Sequence, residues 1–298
     1  MRVAPECVPC LMRRVIYEAE LVSPSKVPAA ILAACRVFST RYRPDRVSAR
    51  LATEVHREVY RVLGSRDPYR EVKRKSNEIV LGLLPHARRL VSQSADTLET
   101  SALCSIAGNI LDFGIRSDVK GPEDLLPMFK KIIAQGLAVN DLPRARRYLR
   151  RGARVLYFAD NCGEIVLDTL VLRSLRSLGC WVSLVVKGEP ILTDATLEDV
   201  EQLGLRNEAD EVLDTGCFAV GIDFERAPRA LRRALRSADL IISKGMANFE
   251  SFSGTGHGPI IHLMRSKCAP VARAAGVPLD ANVAKLCAKG ARERRALR

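Results

Sequence analysis

The pattern of apolar and polar positions changes character near residue 152 of this 298-residue chain. Before that point apolar residues recur at spacings of three and four, which predicts helices over 11–21, 27–38, 49–63, 72–84, 90–111 and 125–138. Prolines 24, 44, 68, 85, 122 and 143 punctuate the series, because a proline has no amide hydrogen to continue a helix. After Gly152 come short apolar runs of the kind that make buried parallel strands, at 155–159, 181–186, 211–213, 240–243 and 260–264. They alternate with helical stretches at 165–178, 196–203, 228–237 and 269–275. The alternation predicts an α/β fold, with a Rossmann-like parallel sheet flanked by helices over 151–298 and an all-α domain over 1–150.

In such a sheet, ligands bind beyond the carboxyl ends of the strands. The first predicted strand is followed by Asp160, Asn161, Cys162, Gly163 and Glu164, and the second by Lys187, Gly188, Glu189, Pro190 and then Asp194. Asp214 follows the third, Lys244 and Gly245 with Asn248 and Glu250 the fourth, and Lys267 with Cys268 the fifth. Acids, amides and lysines thus gather repeatedly at one edge, which a purely structural sheet has no reason to do. Two carboxylates, Asp160 and Asp194, and the amide oxygen of Asn161 would balance a divalent cation and leave about three octahedral positions open. Lys244, with Lys187 or Lys267, could neutralise phosphate oxygens. Taken singly, each aspartate is equally a helix cap or a turn residue. In the helical half, Asn109 and Asp112 share one helix face ahead of Gly114 and could reach over the sheet edge or bridge helices. Asn77 and Glu78 form a further candidate pair.

Residues 160–168 (DNCGEIVLD), 187–196 (KGEPILTDAT), 243–251 (SKGMANFES) and 267–272 (KCAPVA), preceded by 108–114 (GNILDFG), together resemble the damage-control phosphatase family. This family is also known as domain of unknown function 89, and one eukaryotic branch was described as an acidic-residue methyltransferase. The resemblance runs from PECVPCL at 5–11 to about residue 280, with the motifs in the family's order. It implies a divalent-metal-dependent phosphatase, with Mn2+, Ni2+, Co2+ or Mg2+ as cofactor. The implied substrates are small phosphate monoesters such as sugar phosphates or damaged phosphorylated metabolites. The family's metal ligands map onto Asp160, Asn161 and Asp194, and its lysine-glycine-x-x-asparagine segment onto Lys244 and Asn248. Asp160, Asp194 and Lys244 are therefore the expected catalytic residues. Asn109, Asp112, Glu164, Asn248, Glu250 and Lys267 are the expected substrate contacts. The opening Cys7-x-x-Cys10 resembles the stand-alone microbial branch. Two departures stand out. Ala247 occupies a position where relatives often have glycine, and residues 252–259 (FSGTGHGP) form a glycine-rich stretch that reads as a flap, a phosphate cradle or a plain turn. His257 within it could be a general acid or an ordinary loop residue.

Composition bounds these readings. With 47% hydrophobic and 27% charged residues the chain is neither disordered nor a disulfide-dense miniature. No run approaches the roughly 18–20 apolar residues that span a bilayer, and the N-terminus lacks the apolar stretch of a signal peptide, so a soluble cytoplasmic protein is expected. Nine cysteines in apolar contexts suit buried thiols in a reducing compartment, although intracellular pairing does occur in hyperthermophiles. Cys7 and Cys10 remain open to structural, redox or metal roles. The net charge is +13, most of it in residues 1–150. Arg229, Arg232, Arg233 and Arg236 flank Leu231 and Leu235 at helical spacing, as on the wet face of an amphipathic helix. The expected partner is a small phosphorylated metabolite, with no membrane and no specific nucleic acid, since aromatics are only 5% and do not interleave with the arginines. Two other functions fit less well. An S-adenosylmethionine-dependent carboxyl methyltransferase would want a G-x-G turn where DNCGE stands, and an RNA-binding module would want stacking residues.

Overall fold

A computed structural model describes residues 1–109 and 121–288. The helical half comprises α1 (Cys7–Val22), α2 (Val27–Arg41), α3 (Ser48–Leu63), α4 (Arg70–Ser92), α5 (Thr97–Gly108) and α6 (Pro122–Ala134). Then come β1 (Val139–Asn140), α7 (Leu142–Ala145), β2 (Arg154–Phe158), α8 (Glu164–Ser177), β3 (Trp181–Val186) and α9 (Leu197–Gln202). The chain continues through β4 (Glu211–Asp214), α10 (Arg229–Ser237), β5 (Leu240–Lys244), α11 (Gly245–Phe252), β6 (Ile260–Arg265), α12 (Ala269–Ala275) and β7 (Asn282–Cys287).

Among the described residues the seven strands form one sheet in the order β1-β7-β6-β5-β2-β3-β4, parallel throughout except where β7 runs against β6. The α/β expectation holds, and all five predicted strands are present. β1 and β7 extend the sheet beyond them. β1 lies before residue 150 and pairs with β7, so the sheet draws one edge strand from the helical half.

Burial on both faces explains why the strands read as continuous apolar runs. Along β2, Val155 and Tyr157 join the core that includes Leu98, Ala102 and Ile106 of α5 and Ile165, Val171 and Leu172 of α8. Leu156 and Phe158 point the other way, to Leu231 and Leu235 of α10 and Phe252 of α11. That places Arg229, Arg232, Arg233 and Arg236 of α10 at the solvent face, as their spacing implied. α8 is buried all round from Glu164 to Leu172, because Val166, Leu167 and Leu170 pack outward on α4, α5 and α6. A separate cluster of Val15, Ala19, Ala34, Val55 and Val59 joins α1, α2 and α3.

Two expected helices differ. α4 continues through Pro85 to Ser92, because the proline sits exposed while Leu83, Leu84 and Ala87 bury the opposite face. The break falls instead at 93–96, where the Asp96 carboxylate accepts the Glu99 amide at 3.0 Å and caps α5. No described helix is long and apolar enough to cross a membrane.

Candidate active site

The chain winds outward from β2 through β3 to β4, then returns to place β5 on the other side of β2. A crevice opens at such a reversal, beyond the carboxyl ends of the strands. Asp160 follows β2, Lys187 follows β3, Lys244 ends β5, and Glu164 and Asp168 stand one turn apart at the start of α8. Gly163 makes the strand-to-helix turn with φ of 77°, and a Cβ there would lie 3.2 Å from the Ser76 carbonyl oxygen. Its amide donates to Asn77 Oδ1 at 2.6 Å, which ties α4 to the turn.

Asp160 Oδ2 accepts from Asn109 Nδ2 at 3.0 Å and from Asn161 Nδ2 at 2.9 Å. Asn109 also donates to Glu164 Oε2 at 2.6 Å. Gly245, at φ 71°, lies so close that a Cβ would stand 1.8 Å from Asp160 Oδ2, so only glycine fits there. The loop carrying Asp194 is zipped to this one. Cys162 donates to the Thr193 carbonyl and Ala195 to the Asp160 carbonyl, both at 2.8 Å, and the Thr193 hydroxyl donates to Asn161 Oδ1 at 2.7 Å. Asp194 Oδ2 lies 3.3 Å from Lys187 Nζ, its ion-pair partner. Lys187 donates to the Gly221 carbonyl. Lys244 Nζ is held by Glu164 and, at 2.8 Å, by Asp168, which also accepts from Ser105 at 2.6 Å. Asn248 Nδ2 donates to the carbonyls of Ala159 and Lys244 at 3.0 and 2.9 Å, locking the start of α11 to the end of β2.

Asp160, Glu164, Asp168 and Asp194 are all buried, and the buried ammoniums among them are Lys187 and Lys244. With all four carboxylates ionised, the formal count would exceed these two ammoniums by two negative charges. Burial pushes the Asp160 carboxyl well above its ordinary range, with repulsion from Asp194 and Glu164 adding to it and Lys187 and Lys244 relieving it in part. Burial likewise raises Asp194, against the attraction of Lys187, and Asp168, against that of Lys244. For Lys244 burial acts downward, yet Asp168 and Glu164 outweigh it and hold the ammonium protonated above its usual range.

This arrangement fits a hard divalent cation. The donors are oxygens, and the buried carboxylates outnumber the buried ammoniums beside them by two. Among the described residues no three His, Cys, Asp or Glu side chains form a ligand set, and Asn161, the expected third donor, turns its Nδ2 to Asp160 and its Oδ1 to the Thr193 hydroxyl.

Asp160, Asn161, Asp194, Glu164, Lys244, Asn109 and Asn248 come together, and Lys267 joins through a hydrogen bond from Nζ to the Asn109 carbonyl. Glu250 does not. It lies on α11 with its carboxylate against the Ser48 hydroxyl of α3. Asp112 lies outside the described residues. Asp168 was hidden in the DNCGEIVLD motif, its one signal being a position four residues after Glu164 on a helix. Asn77 is buried against the site turn, whereas Glu78 pairs at the surface with Arg74. His257 is half-buried against Phe224, with ring centroids 4.7 Å apart. Cys7 and Cys10 are free thiols in the first turn of α1.

The fold and the centre thus define an α/β protein with an acidic, lysine-bearing crevice at a sheet switch point. The family model for the damage-control phosphatase ARMT1-like domain matches residues 3–283, and the chain belongs to that family. It is similar to a damage-control phosphatase from Archaeoglobus fulgidus, 38% identical over 288 residues that cover 96% of this chain and 99% of the relative. A damage-control phosphatase from Pyrococcus horikoshii is 30% identical over 95% of this chain and 97% of its own length. A crystal structure of a DUF89 family protein from Pyrococcus horikoshii matches with a TM-score of 0.87 and 29% identity, over 96% of this chain and 99% of that one.

Proposed function

We propose that this chain is a divalent-metal-dependent phosphatase acting on small phosphate monoesters, sugar phosphates or damaged phosphorylated metabolites. The observation that carries the reading is the cluster of four buried carboxylates, Asp160, Glu164, Asp168 and Asp194, against only Lys187 and Lys244 at the switch point. The names of the relatives point to the same activity. Asp160, Asn161 and Asp194 would hold Mn2+, Ni2+, Co2+ or Mg2+, which supplies a Lewis acid for the phosphoryl oxygens and makes water a better nucleophile at neutral pH.

The protein's own groups do the rest. Lys187 stands beside Asp194, where its ammonium can meet a phosphoryl oxygen. Lys244 stays protonated and fixes Glu164 and Asp168, so it reaches a phosphate only by parting from Glu164. Asn109 orients both Asp160 and Glu164 from the end of α5, and Lys267 holds the Asn109 backbone. A small metabolite suits the surface better than a nucleic acid. Arg146 and Arg150 are paired with Asp96 and Asp239, and among the described residues one exposed aromatic, Trp181, lines the cavity beside Arg233 of α10. The carboxylates that fill the turn after β2 weigh against an S-adenosylmethionine site, which wants an open glycine turn. The cysteines form no disulfide among the described residues, which suits a reducing, cytoplasmic setting.

The test is phosphate release from a panel of small phosphate esters after chelation, with each of Mn2+, Mg2+, Co2+ and Ni2+ restored in turn. Turnover should require metal. Asp160→Ala and Asp194→Ala should each lose it by about 10² or more, the scale of removing one electrostatic anchor, with far-UV circular dichroism unchanged. Undiminished metal-dependent turnover in either variant would overturn the ligand assignment.

A further inference from the structure

Leu192 has φ of 50°, one of two non-glycine residues with positive φ among the described residues. It is the first central residue of a turn closed by the Asp194 amide donating to the Ile191 carbonyl at 3.1 Å. Turns with a left-handed residue at that position normally place Gly, Asn or Asp there. A leucine carries a steric cost in this conformation. The turn therefore needs support from outside itself, and it has two sources. One edge is zipped to residues 160–162 through the Thr193 and Ala195 hydrogen bonds. On the other edge, the Leu192 amide donates to the phenol oxygen of Tyr60 on α3 at 3.0 Å.

Tyr60 is buried, and its ring stands edge-on to Phe218 at 5.4 Å. Ile191 is fully buried against Ala49 and Ala52 of α3 and Val220, so helix and turn share one apolar seam. The Tyr60 oxygen is thus one hydrogen bond and two residues from Asp194, on a helix that contributes no other group to the crevice. Without that bond only the Thr193 and Ala195 hydrogen bonds hold the turn against the relaxation of Leu192 toward negative φ, which would rotate the segment that carries the Asp194 carboxylate.

We propose that Tyr60 is a positioning residue, holding Leu192 in its left-handed turn so that Asp194 stands where a cation can share it with Asp160. This rests on the reading of Asp194 as a metal ligand, and the experiment separates the two.

Mn2+ affinity is measured on the full chain without substrate, from the electron paramagnetic resonance signal of free Mn2+. The set comprises the wild type, Tyr60→Phe, Leu192→Asn, the Tyr60→Phe/Leu192→Asn double variant, Leu192→Val and Asp194→Asn. Tyr60→Phe keeps the ring and should weaken Mn2+ by about fivefold to tenfold, the worth of one neutral hydrogen bond. Asparagine tolerates left-handed φ, so the double variant should return to within about twofold of the wild type. Leu192→Val should weaken binding even with Tyr60 intact, because a β-branched residue tolerates positive φ least. General loosening of α3 would not be rescued by a change at residue 192. Wild-type affinity in Tyr60→Phe, or a double variant as weak as the single one, overturns the proposal. Unchanged Mn2+ affinity in Asp194→Asn overturns the ligand reading itself, and the positioning role with it.

Discussion

Lys244 illustrates what position along a chain conveys and what it leaves out. Its place at the end of β5 is given by the strand pattern, but the depth of its side chain is not. The ammonium is fully buried between Glu164 and Asp168. Breaking a buried pair by removing one partner costs about 3–5 kcal/mol, because the other charge is left in a low-dielectric interior. Lys244→Ala should therefore lower the urea midpoint substantially as well as reduce kcat by about 10². A variant that loses turnover with wild-type stability would show the ammonium to be free for phosphate instead. The convergence of Asp160, Asn161 and Asp194 was legible because topology brings the loops after β2 and β3 to one edge of the sheet. Glu250 was misplaced for a local reason. Residues 245–252 carry only three apolar anchors, Met246, Phe249 and Phe252, and once α11 forms, Glu250 is turned about 200° from Asn248.

Elements show the same division between local signal and partner-dependent structure. Residues 181–186 and 269–275 have the bounds their patterns predict, since each carries its own apolar run and punctuation. β7 escaped notice because its strand state depends on antiparallel pairing with β6, and β1 because two residues are too few for any period. α4 passes Pro85 because packing on α5, α6 and α8 outweighs one missing hydrogen bond. This helix matters to the site through Asn77, whose Oδ1 accepts the Gly163 amide while its Nδ2 lies 3.4 Å from Asp199. Asn77→Ala leaves a buried amide unsatisfied at the turn bearing Asp160 and Asn161, a cost of about 1–3 kcal/mol. Urea unfolding should show that loss, and Mn2+ affinity should fall with it. Unaltered values for both would mean that α4 merely covers the turn.

Across the whole molecule the sign of charge inverts from outside to inside. The net +13 sits on a surface where arginines such as Arg173 pair with acids such as Glu208, and such a surface attracts anionic metabolites. The crevice beneath it is net negative, which composition alone could not reveal because it depends on which few acids the fold buries. Asp160→Asn tests that inversion, removing one buried charge while keeping the side chain's shape. A carboxyl whose folded pKa lies above its unfolded value near 3.8 favours folding while protonated, and that contribution is lost as pH rises through the folded value. In EDTA at pH 7 the Asp160→Asn variant should thus be more stable than the wild type, with Tm higher by about 2 °C or more, and the gap should close as pH is lowered toward 4. The Asp160 charge and those of Asp194 and Glu164 repel one another, so the difference reports the cluster around residue 160. Saturating Mn2+ should reverse the order at pH 7, because only the wild type gains binding free energy from an ion that replaces the proton. A calorimetric scan of both proteins with and without Mn2+ decides the matter. A variant less stable than the wild type in EDTA, or one stabilised equally by Mn2+, would mean that the Asp160 charge is already compensated within the protein and needs no cation.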